Sequence, residues 1–310
     1  MNLQTIIPIP AFPQQLTYKT PALLMGSCFA DNIGQIMQQH YFPVSVNPFG
    51  TVYNPLSITQ SLLRLQSVQP FTEEEVIQSG DVFTSFFHHS KFSHPDKKRF
   101  LETANEFLLK GAEALRKAEF IILSLGTAWV YRHKGNGIAV NNCHKIPAAN
   151  FTRSMLNVKE VVAAILPLIK TSKAQWILTV SPIRHWKDGA HGNQLSKASL
   201  LLAVEQLQQV CENVHYFPAY EIMMDELRDY RFYADDMLHP SSLAVNYIWQ
   251  RFSEVALTAE TKTILSEIEK IVAAQGHRLL HPETESSRHF QQQLQQQIAD
   301  FSAKYPYINL

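Results

Sequence analysis

The stretch Ala22 to Tyr41, ALLMGSCFADNIGQIMQQHY, decides the fold. Ala22, Leu23, Leu24 and Met25 form a short continuous apolar run, the mark of a strand buried on both faces, and the run stops at Gly26. Beyond the glycine the period changes. Phe29, Ile33, Ile36, Met37 and Tyr41 recur at three- and four-residue spacing, which is one face of a helix. Ser27 and Cys28 therefore sit where a strand hands over to a helix, beside unpaired backbone N–H groups and the positive end of the helix dipole. That position suits a nucleophile, and it equally suits a serine that does no more than cap the helix.

Working outward, the same alternation repeats. Strand-like runs occur at Val44 to Val46, in EFIILSLGTAW (Glu119 to Trp129), at Gln175 to Val180 and at Val214 to Pro218. Helical patterns separate or follow them: Ser57, read as a cap, to Leu65; Arg99 to Lys117; Val158 to Lys170; Asn193 to Val210; and Ser241 to Val255. Five strand–helix alternations predict an α/β fold, a parallel sheet sandwiched between helices with right-handed crossovers. Ligands in such folds bind at the carboxyl ends of the strands, where the loops after Gly26, Val46, Gly126 and Val180 all fall. The loop NPFGTVYNP (Asn47 to Pro55) is shaped by two prolines and by Gly50, which can bring its backbone close to another group. Residues 67–97, with TSFFHHSKFSHP, read as an insertion, and residues 130–150 read as a hairpin around a Gly-Asn-Gly turn. The main domain is expected over 1–258. Residues 259–310 carry helical patterns and the Gln-rich run Gln291 to Gln297, a helical tail packed on the domain or on a second subunit.

Composition bounds the function. A chain of 310 residues, 45% hydrophobic, can bury a full core. With zero formal net charge and no basic stripe, nucleic acid and anionic membrane surfaces are excluded as partners, and the substrate is expected to be neutral or small. No basic residue precedes Lys19 and prolines interrupt the N-terminus, which argues against a secretory signal; no apolar run is long enough to span a bilayer. Cys28, Cys143 and Cys211 form no CxxC pair, so neither a disulfide framework nor a zinc knuckle is indicated, and a reducing cytoplasm is the expected location. His88, His89 and the Cys143-His144 pair lack the spacing of a defined metal site, so neither metal nor cofactor is expected.

The second decisive stretch is YADDMLHPSS, Tyr233 to Ser242. Asp236 and His239 lie three apart, just ahead of a helix that Ser241 or Ser242 can cap, so one short loop can hold a carboxylate against an imidazole. In a serine hydrolase the carboxylate orients the histidine, which takes the serine proton. Asp235 competes for that role at one residue longer spacing. The Cys28 thiol, at a helix N-terminus, is a rival nucleophile. Arg184, His185 and His191 sit at the expected rim, where they can bind a carboxylate, a phosphate or a sugar hydroxyl.

GSCFA (Gly26 to Ala30), with NPFGTVYNP, LGTAWVY, NNCHK, TVSPIRH and DDMLHP, resembles the GSCFA-domain family from about Leu23 past His239. That family is similar in layout to the SGNH, or GDSL-like, hydrolases. The resemblance implies a three-layer α/β/α sandwich on a five-stranded, flavodoxin-like parallel sheet. It puts the nucleophile on Ser27, an oxyanion glycine on Gly50, the third block on Gly126 to Trp129, and the acid–base pair on Asp236 and His239. One departure stands out: the third block reads Gly-Thr-Ala-Trp, without the usual asparagine donor, a loss that typically costs about two to three powers of ten in turnover. Thr127, Asn142 and Lys145 are the candidate replacements, beside backbone N–H groups of Ser27 or Cys28 and of Gly50. The resemblance thus implies an esterase acting on an O-acyl group of a carbohydrate or other small molecule. An acyltransferase using the same acyl-enzyme, or a binding or scaffold protein that keeps the fold, are the alternatives.

Overall fold

The computed structural model describes residues 5–278 and 281–310. In chain order its main elements are β1 (Ala22–Gly26), α1 (Cys28–Gln39), β2 (Val44–Val46), α2 (Pro55–Ser67), β3 (Ile77–Ser79), β4 (Val82–Thr84), α3 (Lys97–Lys117) and β5 (Phe120–Leu125). They continue with β6 (Trp129–His133), β7 (Phe151–Met155), α4 (Val158–Thr171), β8 (Gln175–Val180), α5 (Gly189–Val210), β9 (Val214–Tyr216) and α6 (Ala219–Glu221). A π-helical turn, Ile222–Leu227, then leads to α7 (Ser242–Ala256), α8 (Ala259–Gln275) and α9 (Glu285–Lys304).

Five strands make the central sheet in the order β2-β1-β5-β8-β9, and every pairing in it is parallel. Taken in chain order these strands run second, first, third, fourth, fifth, a doubly wound arrangement whose order reverses between β1 and β5. Alternation of side chains splits the apolar residues into two cores, one per face. Leu23, Met25, Ile121, Leu123, Trp176 and Leu178 point to one face and pack with α2, α3, α4 and α5. Ala22, Leu24, Phe120, Ile122 and Ile177 point to the other and pack with α1 and α7, and with Ile264, Ile268 and Ile271 of α8 and Phe301 of α9. The C-terminal helices thus complete the layer on that face. The expected three-layer α/β/α sandwich with a five-stranded parallel sheet and a helical C-terminal region is what forms.

Local readings differ in three places. Asn54, not Ser57, caps α2, with Pro55 at the first helical position. The 67–97 segment is ordered by the β3–β4 hairpin and by α3, whose N-terminal residue Lys97 lies at its end. The Gly-Asn-Gly turn closes a short hairpin, with His133 N donating to Ile138 O at 3.0 Å and Val140 N to Tyr131 O at 2.9 Å, but the longer antiparallel partner of β6 is β7, further along the chain.

Candidate active site

Gly26 ends β1 with φ +137, and a Cβ there would lie 2.2 Å from Ser124 O, so only glycine lets β1 approach β5 this closely. The chain then turns into α1. Ser27 N–H donates to Ser124 O at 3.0 Å, and Ser27 Oγ caps α1 by accepting from Phe29 N at 3.2 Å. Ser27 Oγ also shares a 2.9 Å hydrogen bond with Ser124 Oγ. The serine is therefore both cap and cavity-lining group, at the point where the strand order reverses. The following loop is laced to this turn: Asn47 Oδ1 accepts from Gly26 N at 2.8 Å, and Asp31 on α1 accepts from Asn47 Nδ2 at 2.6 Å and from Thr51 Oγ1 at 2.7 Å.

The loop before α7 supplies the histidine. Asp236 Oδ1 accepts the backbone N–H groups of Leu238 and His239, both at 2.9 Å, and Asp236 Oδ2 lies 2.5 Å from His239 Nδ1. These bonds, led by the backbone N–H of His239, pull the Asp236 carboxyl down to about 2. An ionised carboxylate can only accept, so Nδ1 carries the proton and Nε2 is left as the basic nitrogen. Ser241, not Ser242, caps the helix.

Ser27 and His239 line one cavity of about 600 Å³ at the carboxyl end of the sheet, with Cys28, Asn54, Thr127 and Asn142. Among the described residues no hydrogen bond joins Ser27 and His239. Burial raises the Cys28 thiol, outweighing the opposing hydrogen bond from Tyr53 OH at 3.4 Å, so it is held as a thiol rather than a thiolate. The rival reading, a Cys28 thiol activated by the helix terminus, is disfavoured by that burial.

Other expected residues divide. Arg184 and His185 line the cavity; Gly126 does not, although a Cβ added there would lie 3.4 Å from Ser27 Cβ. Gly50 does not line it. Its N–H closes a turn onto Asn47 O at 2.7 Å, and its missing side chain makes room for His89, whose Cβ would lie 2.3 Å from an added one. Lys145 is exposed and outside the cavity, in a left-handed turn at φ +59. Of the backbone N–H groups expected to face an oxyanion, from Ser27 or Cys28 and from Gly50, those of Ser27 and Gly50 are thus committed elsewhere. Gly126 and Thr127 both donate to Tyr53 O at 2.9 Å. Side-chain amides are among the cavity's lining: Asn54, whose Nδ2 gives one of its two protons to Ser57 Oγ at 3.0 Å, and Asn142, whose Oδ1 accepts His144 N at 2.9 Å. The Thr127 hydroxyl, bonded to Ser196 Oγ at 3.0 Å, adds a third polar group.

Lys197 was not singled out from the sequence. It is fully buried on α5 and donates to Gly126 O and Ser181 O, both at 2.7 Å, tying the ends of β5 and β8 together under the site. Burial, then the nearby Arg184, pulls its amine down to about 7. Its signal was present: Asn193, Ser196, Leu200, Val204 and Leu207 mark the buried face of α5, and Lys197 lies on it. His185 is pulled down to about 4, by burial first and Lys197 second, and is neutral. His88 is a core residue, bonded to Ser85 Oγ at 2.7 Å and packed by Phe71 and Phe100; His144 Nε2 bonds Ser85 O at 2.8 Å. Among the described residues no group of three or more His, Cys, Asp or Glu is placed to hold a metal, and no helix is long and apolar enough to cross a membrane.

Residues 21–252 match the GSCFA family, and residues 268–310 match a second family described as the GSCFA domain protein, C-terminal domain. No curated protein matches the sequence.

Proposed function

The chain belongs to the GSCFA family, and from that premise and the site geometry we propose that it is an SGNH-like serine esterase, hydrolysing an O-acyl ester of a carbohydrate or other small molecule. Ser27 Oγ attacks the acyl carbon, His239 Nε2 takes its proton and passes it to the leaving alcohol, and Asp236 fixes the tautomer of the ring. Water then attacks the acyl-enzyme by the same route, returning the proton to Ser27. Transfer to an alcohol acceptor in place of water differs only in this second half. The carrying observation is that Ser27 and His239, from opposite ends of the main domain, line one cavity, with His239 bonded to Asp236. To reach His239 the Ser27 hydroxyl turns away from Ser124 Oγ, and catalytic hydrogen bonds commonly tighten only when substrate is present. The amides of Asn54 and Asn142 stand in for the missing third-block asparagine. Three free cysteines fit action in a reducing cytoplasm.

A second reading, a binding protein on the same fold, is favoured by one observation: the backbone N–H groups of Ser27 and Gly50 are already spent. Hydrolysis of 4-nitrophenyl acetate and of O-acetylated sugars by wild type, Ser27→Ala and His239→Ala separates the two. The esterase reading expects losses of about 10²-fold or more in both variants. Rates at background for folded wild type would favour the binder.

A further inference from the structure

The chain as a whole is neutral, but the cavity is not. Arg153, Arg184 and Lys187 line it against a single carboxylate, Asp188, and Asp188 is paired with Arg153, whose guanidinium lies 4.1 Å over the Trp129 ring. Lys187 is exposed and bonds Tyr131 OH at 2.5 Å. That leaves Arg184. Among the described residues no carboxylate pairs with it: its guanidinium meets Met224 Sδ, 3.7 Å from Nη1, and the neutral Tyr233 side chain, with which it shares a hydrogen bond, and its Nε is buried without a partner. Lys197, equally without a carboxylate, lies close enough to be depressed by it. A partly buried guanidinium with only neutral neighbours and one unpartnered donor is costly unless an anion meets it, and its planar fork matches a carboxylate with two parallel bonds. The backbone of the same residue is tied to the histidine loop, Arg184 N to Leu238 O at 3.5 Å, so this fork is fixed relative to His239.

We propose that the ester attacked by Ser27 carries a carboxylate, and that Arg184 binds it. The proposal rests on the esterase reading of Ser27. It narrows the expectation of a neutral or small substrate to a small anionic one, and the three groups offered for Arg184, a carboxylate, a phosphate or a sugar hydroxyl, to the carboxylate. Lys187 steers anions toward the mouth, and Arg153 shapes the wall.

Two matched pairs of esters test it: 4-nitrophenyl hydrogen succinate against 4-nitrophenyl methyl succinate, and 4-acetoxybenzoate against its methyl ester. The readout is the anionic preference, the ratio of kcat/KM within a pair. Wild type is expected to prefer the anion in at least one pair, and Arg184→Gln to lower that preference by about 10- to 100-fold, the worth of a charge-assisted bidentate contact. Arg184→Lys recovers part of the preference, and Lys187→Gln, which loses steering alone, changes it by less than about 3-fold. Hydrolysis with no preference in either pair, or equal losses from Arg184→Gln and Lys187→Gln, overturns the Arg184 assignment while leaving the esterase intact. If no ester is turned over, calorimetric titration of 4-acetamidobenzoate decides: binding that Arg184→Gln weakens supports the subsite and removes the esterase, and no binding overturns both.

Discussion

Replacing Lys197 by Met perturbs the floor of the site in a way that pH should expose. The amine donates to two buried carbonyls, Gly126 O and Ser181 O. Leaving both unsatisfied costs roughly 1–3 kcal/mol each. Against this stands the charge. The amine is pulled from 10.5 to about 7, so between these values the unfolded chain binds a proton that the folded chain does not. Wild-type stability therefore rises with pH across that window, by at most ~1.4 kcal/mol per pH unit and roughly 5 kcal/mol in full. Below pH 7 the penalty of a buried ammonium is fully present. The two carbonyls favour the charged form, which makes the full figure an upper limit. Lys197→Met lacks this titration. Its deficit relative to wild type should widen by up to ~3 kcal/mol between pH 7 and pH 9, measured by urea unfolding of both proteins at each pH. A deficit constant to within ~0.5 kcal/mol over that range would show that the ammonium stays charged, and the reasoning about its burial would fail.

Asp236→Ala should lower any esterase rate by about 10²-fold or more in steady-state kinetics, because the imidazole loses its tautomer and its loop loses two N–H acceptors, whereas Asp235→Ala should change it by less than about 3-fold. Equal losses would remove Asp236 from its role. Gly26→Ala places a Cβ 2.2 Å from Ser124 O at φ +137, so thermal unfolding should show a loss of more than about 3 kcal/mol, and a near-neutral variant would refute the close approach of β1 and β5. Glu226 accepts from Ile7 N at 2.6 Å and Tyr247 OH at 2.7 Å and pairs with Arg251 at 3.3 Å, with a side chain that is 0% exposed. Its replacement by Ala should cost about 3–5 kcal/mol in denaturant unfolding.

The fold was legible because buried parallel strands are short, continuous apolar runs, and β1, β5 and β8 show no other pattern. The pairing of β6 with β7 was not, since a Gly-Asn-Gly turn advertises the nearer partner and nothing local marks the distant one. At the site, Asp236 and His239 could be read together because three residues separate them and one loop holds both. Gly50 misled for a physical reason: its left-handed backbone and empty side are real, but they serve contact with His89 rather than with a ligand. Lys197 was hidden by its charge, which reads as surface until its place on the apolar face of α5 is counted. Arg184 at the rim could be read from its place just after a strand, but not that Arg153 and Lys187 join it there or that it lacks a carboxylate partner, because net charge says nothing about where charges gather.

The most direct test of the central claim is labelling of the folded protein by a fluorophosphonate, with the modified peptide mapped by mass spectrometry in wild type, Ser27→Ala, Cys28→Ala and His239→Ala. A serine activated by His239 predicts phosphonylation of Ser27 in wild type, its retention in Cys28→Ala, and its loss in the other two. An unlabelled wild type, or a label carried by any residue other than Ser27, would contradict the account.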